Sequence, residues 1–234
     1  MDRIRRRMTT SLSSDRPGFQ RVPPITWVGL AIALFGMGIV RHGVLYFSPT
    51  LTVSAAIWTE SLMWVCVAAL CLIIRRGEKL PFSSVGLGTY RWTKSLGWGL
   101  VITIAIIVVG SIPDVIALLS HYHENQFARQ LTRLPVWILT LSCVRGGVGE
   151  ELFFRGYAIE RLEALGLSRF WAAAIPVLIF SIGHWTSGWP NIIVAFLIGS
   201  VLAIFYQWRR DLLANMIGHF LVDIIGVVVP RFFS

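Results

Sequence analysis

An all-α, polytopic transmembrane helix bundle of about seven spans is the fold this sequence predicts, and three observations predict it. Of 234 residues, 55% are hydrophobic and only 14% charged, with a mean hydropathy of +0.69. Soluble domains carry about 25% charged residues. The apolar residues are gathered into stretches near the roughly 20 residues that a helix needs to cross hydrocarbon. Basic residues lie mainly between those stretches.

Taken in order, the spans are expected near 25–47, 51–74, 95–120, 135–160, 170–187, 190–208 and 211–229. Ahead of them, residues 1–24 form a basic, Pro-punctuated segment with Arg3, Arg5, Arg6, Arg7, Arg16 and Arg21. No small-residue cleavage site follows the first apolar stretch, so this segment reads as a flexible cytoplasmic tail before a retained span. Arg41 and His42 interrupt that first span. The fifth and sixth are short and meet at the turn Thr186-Ser187-Gly188-Trp189-Pro190. Residues 25–234 thus read as one transmembrane domain.

The net charge of +9 does not point to nucleic acid. Sorted over seven spans, 15 Lys and Arg fall on the side of the N-terminus and only 3 on the other. Such asymmetry sets topology, with the basic side cytoplasmic and facing anionic lipid. The N-terminus is therefore expected inside and the C-terminus outside, in an integral protein of a bacterial inner membrane. Trp27, Trp92, Trp137, Trp189 and Trp208 lie near span ends, as interfacial anchors do. Cys66, Cys71 and Cys143 fall within apolar stretches without metal-ligand spacing and read as packing residues.

The polar residues inside the spans carry the functional information, because ionisable groups at membrane depth are costly. The fourth span holds Gly149-Glu150-Glu151-Leu152-Phe153-Phe154-Arg155, the fifth holds Phe180 and His184, and the seventh His219 and Asp223. At ~1.5 Å per residue, Glu150 lies ~15 Å, His184 ~21 Å and His219 ~12 Å from the cytoplasmic ends of their helices. Their depths coincide, which predicts one shared polar cavity. Glu151 and Arg155 stand at i and i+4, the spacing of an ion pair, which leaves Glu150 as the free carboxylate. A carboxylate in a poorly hydrated pocket suits general acid–base work.

His219 and Asp223 repeat the i, i+4 relation, so Asp223 is expected to hold the ring of His219. Phe180, at the same spacing from His184, is expected to shape the pocket wall. Gly146, Gly147 and Gly149 let a neighbouring backbone or a substrate strand approach closely. Glu60 and Asp114 carry less weight, as ion-binding groups or as partners of Arg41 or Arg145. His121 and His123 read as solvated in an outer loop.

Glu-Glu-x-x-x-Arg, Phe-x-x-x-His and His-x-x-x-Asp in this order resemble the CPBP family (CAAX protease and bacteriocin-processing, or Abi) of intramembrane endopeptidases. The resemblance covers about 145–226 and leaves the first three spans unassigned, with a catalytic core at about 135–229. It implies hydrolysis of a peptide bond in a membrane-associated peptide or protein. By that analogy Glu150 activates water, Glu151 with Arg155 supports it, and His184 and His219 polarise the carbonyl or steady the oxyanion. Where the CAAX-processing branch usually has Asn, this chain has Asp223, which fits better as the partner of His219 or as a metal ligand. His184 and His219 with one carboxylate, Glu150 or Asp223, also form a plausible zinc set with one open position. A metal-free glutamate mechanism is equally compatible.

Two other classes use the same residues. A proton-coupled transporter would use the buried carboxylates and histidines as a relay, but it more often shows paired repeats in both halves. A catalytically silent immunity or scaffold protein would keep the fold, and the intact Glu150, His184 and His219 argue against it.

Overall fold

The computed structural model describes residues 22–88, 92–119, 130–131 and 133–233, without the side chains of 112–119 and 187. The tail before residue 22, His121, His123 and the side chain of Asp114 lie outside the described residues.

Among the described residues, seven main helices follow one another and no β-strand occurs. They are α1 (Ile25–Phe47), α2 (Val53–Gly77), α3 (Trp92–Leu119), α4 (136–164), α5 (Arg169–Ile182), α6 (Trp189–Arg209) and α7 (Leu212–Phe232). Five of them, α1, α2, α3, α6 and α7, are long and apolar enough to cross a membrane. The other two expected spans, α4 and α5, differ from these five. Helix α4 carries Arg145, Glu150, Glu151 and Arg155 in its middle, and α5 has only 14 residues. At ~1.5 Å per residue, α5 covers ~21 Å. The expected fifth span to residue 187 is broken instead at Gly183 and continues as a short 3-10 turn, Trp185–Ser187.

Local signals set several helix starts. Thr52 accepts from the Ala55 amide, Ser168 from that of Trp171 and Asp211 from that of Ala214, each as an N-cap. Asp211 also accepts from Ser95 Oγ at 2.7 Å, which ties the start of α7 to α3. The outward faces are apolar: Phe35, Ile39, Val65, Ile104 and Ile204 are all more than half exposed. The five tryptophans read as anchors are exposed as well. Lipid makes such a surface favourable where water would not.

Helix α7 packs against α3, α4 and α6. It comes close because glycines meet it. A Cβ on Gly99 would stand 2.6 Å from Ile217 Cγ2, and one on Gly147 would stand 2.7 Å from Phe220 Cβ and 2.9 Å from the Met216 carbonyl. Small residues at such crossings let helix backbones approach in lipid, as the sequence led one to expect at Gly147.

One end of the bundle is tied by charge. Arg161 and Glu78 form a buried ion pair at 2.7 Å, and Glu78 also accepts from Tyr157 and Thr26 at 2.8 Å each. Arg161 is buried because Glu78 and Ser84 satisfy its guanidinium. Arg210 pairs at the same end with Glu160 and Glu163, and Arg169 with the Gln207 carbonyl.

These contacts predict that Gly147→Ala lowers the melting temperature in detergent, with overpacking costing about 1–3 kcal/mol. Gly43→Ala, at a position with open space around it, should cost far less. Equal melting of the two variants would contradict the close approach of α4 and α7.

Candidate active site

The middle of α4 does not keep the α-helical pitch. From Gly146 to Ile159 its backbone runs as a π-helix, with Glu150, Glu151 and Arg155 all buried. π-helical turns are rare and concentrate at functional sites. Gly146, Gly147 and Gly149 open the segment, and glycine resists the α-helix more than most residues.

Glu151 is wholly buried and accepts from three side chains. Arg155 Nη1 donates to Oε1 at 2.8 Å, as the i, i+4 spacing predicted. The ring of His219 meets the same oxygen through Nδ1 at 2.8 Å, and Asn215 Nδ2 donates to Oε2 at 3.2 Å. The expected partner of His219 is therefore corrected. Asp223 Oδ2 stops 3.8 Å from Nε2, beyond hydrogen-bond distance, so Glu151 holds the ring and Asp223 faces its other nitrogen. Asn215 escaped the sequence reading, although it lies four residues before His219, on the same face of α7.

Glu150 is not free either. Arg145 Nη1 donates to its Oε1 at 2.6 Å, five residues back along the π-helical segment. The guanidinium also reaches Glu60 of α2, Nε lying 3.1 Å from each carboxylate oxygen. Glu60, given little weight from the sequence, thus joins the site by pairing with Arg145. The Glu150 side chain remains 9% exposed, whereas that of Glu151 is sealed.

His184 follows α5 at φ −93° and ψ 4°, in the sparsely populated bridge region where many active-site residues sit. Its Nδ1 lies 2.8 Å from the Phe180 carbonyl oxygen. Glu150 lies within electrostatic reach of both His184 and His219. Between the two histidines stands Phe180, 4.7 Å from the His184 ring and 6.3 Å from the His219 ring. Arg155 Cζ caps its face at 4.7 Å, and Phe154 packs edge-on. The pocket wall expected at Phe180 is there. Beyond Phe154, a cavity of about 470 Å³ runs between α1 and α5, lined mainly by apolar groups such as Leu34, Met37 and Ile179.

The structure thus brings Glu150, Glu151, Arg155, His184, His219 and Asp223 into one polar cluster enclosed by apolar helices. A family model described as type II CAAX prenyl endopeptidase Rce1-like matches residues 132–225. Residues 132–225 are thus similar to that family. This segment holds all three motifs, while α1–α3 lie outside it. No curated protein and no solved structure matches the chain.

Among the described residues, no three His, Cys, Asp or Glu side chains converge on one point. Glu150 is taken by a guanidinium, and Nδ1 of each histidine faces an acceptor oxygen.

Glu151→Gln should leave Arg155 without its carboxylate, keep one amide oxygen for the His219 ring, and set an amide NH2 against that of Asn215. Breaking a buried pair from one side costs roughly 3–5 kcal/mol. A clear drop in melting temperature in detergent is expected, and unchanged melting would show that Arg155 is neutralised elsewhere.

Proposed function

We propose that the protein is an intramembrane endopeptidase that hydrolyses a peptide bond in a membrane-associated peptide or protein. The observation that carries this reading is the clustering of Glu150, His184 and His219 within the matched segment, each held by a separate contact. Glu150 accepts a proton as the water oxygen bonds to the scissile carbonyl carbon. The tetrahedral intermediate then collapses, the C–N bond breaks, and the departing amine takes up a proton. Glu151, Arg155 and Asn215 touch no substrate in this scheme. They hold His219 in place.

Tautomers limit what the histidines can do. A backbone carbonyl only accepts, so His184 Nδ1 carries its proton toward Phe180. Glu151, already bound by Arg155, also acts as an acceptor, so His219 Nδ1 carries a proton too. In the neutral rings, each Nε2 is then a lone pair and repels an oxyanion. At least one ring must be an imidazolium to stabilise the intermediate. His219 fits that role, because the Asp223 carboxylate faces its Nε2 end at 3.8 Å. A positioned donor of this kind is worth about 10²–10³-fold in rate.

The test uses purified protein in liposomes with a farnesylated CAAX peptide and an unprenylated copy. Wild type should cleave at least one of them, and Glu150→Gln should lower the rate by ~10²–10⁴-fold with folding intact. Near-normal cleavage by Glu150→Gln would remove that residue from the mechanism. A wild type that leaves both peptides and a membrane-protein extract uncut would contradict the reading as a whole. Asp223→Asn should lower activity, because it removes the charge that faces His219 Nε2, but less than His219→Ala does, since the Glu151 clamp on the ring stays. Loss of activity equal to that of His219→Ala would make Asp223 a direct participant.

The same reading places the N-terminus in the cytoplasm and opens the site to that side or to the inner leaflet. Cysteines introduced near Glu150 should react with a membrane-impermeant thiol reagent only in inverted vesicles. Labelling only from the outer face would reverse the topology.

A further inference from the structure

We propose that Glu60 is a positioning residue for Glu150, acting across the helix interface through Arg145. This rests on the reading of Glu150 as the water-activating carboxylate and adds to it a residue from outside the matched segment. Glu60 lies on α2, its side chain only 6% exposed, and Ser142 Oγ donates to its Oε1 at 2.7 Å. Arg145 Nε stands 3.1 Å from both Glu60 oxygens, and its Nη1 reaches Glu150 at 2.6 Å. One guanidinium therefore bridges two carboxylates from two helices, and a serine one turn earlier on α4 fixes the outer one.

The bridge answers a positional need. Glu150 sits just after three glycines in a π-helical stretch, so the local backbone alone does little to aim its side chain. Arginine is long and has many rotamers, but its planar fork is rigid once two edges are held. Glu60 holds the Nε edge and leaves Nη1 aimed at a single oxygen of Glu150. Without Glu60, the guanidinium is free to swing onto Glu150 with both edges and occupy the oxygen that must take the proton. Glu60 also balances charge, since Arg41 lies within electrostatic reach of both Arg145 and Glu150.

Glu60→Gln and Glu60→Asp should both lower kcat on the peptide that wild type cleaves while leaving KM within about twofold. Misplacement of a reacting group by ~1 Å costs ~100-fold. Asp keeps a charge for Arg145, so that variant should fold even if Glu60→Gln does not, yet it is one carbon too short to reach Nε. Combining Glu60→Asp with Arg145→Lys should cost no more than Arg145→Lys alone, because both changes break one unit. A readout without turnover is the infrared band of the ¹³C-labelled Glu150 carboxylate, assigned by its loss in Glu150→Gln. It should shift in Glu60→Asp. Wild-type kcat, a change in KM alone, multiplicative losses or an unshifted band would each overturn the proposal. Should Glu150→Gln itself stay active, the catalytic reading fails first, and the band shift still decides whether Glu60 positions Glu150.

Discussion

A carboxylate sealed from water has to be surrounded by donors, and Glu151 takes its donors from two helices. Arg155 comes from its own helix; His219 and Asn215 come from α7. Burying the Arg155 charge is tolerable only because Glu151 neutralises it and Phe180 lies against its face. Asn215 also donates to the Leu202 carbonyl at 2.8 Å, so the same contact set reaches α6. The position of His219, the packing of Phe180 and the approach of α4 to α7 all depend on this one saturated carboxylate.

Two adjacent glutamates therefore have opposite physical situations. Glu151 has its lone pairs filled and no exposure, which makes it part of the scaffold. Glu150 meets a guanidinium through one oxygen and keeps a small exposed surface, which makes it available to water. Their separation by less than half a turn lets a rigid, dry hub hold a reactive group at its edge. The glycines and the close packing of α7 serve that geometry, since no bulkier residue fits between Gly147 and Phe220.

Much of this was legible in the sequence, and the failures have identifiable causes. Glu151–Arg155, the convergence of three polar helices and the glycine crossing follow from spacing and from the cost of charge in lipid. His219 misled because i, i+4 spacing says which residues share a helix face but not which side chain is long enough to reach. Asp223 stops at 3.8 Å, while Glu151, 68 residues away in sequence, arrives at 2.8 Å. Glu150 seemed free because an α-helical pitch hides an i, i+5 partner, and the π-helical segment brings Arg145 into contact. The sequence offers Glu60 as a partner of Arg41 or Arg145, and the pair with Arg145 forms, but no motif links it to Glu150.

The central claim is that Glu151 fixes the ring of His219 through Nδ1. ¹⁵N NMR of histidine-labelled protein in bilayers reads this directly, with the His219 signals assigned by their loss in His219→Ala. The account predicts a protonated Nδ1 with the shift of a hydrogen bond to a carboxylate, unchanged in Asp223→Asn and displaced in Glu151→Gln. A bare Nδ1 in the wild type, or a signal that responds to Asp223 and not to Glu151, would contradict it.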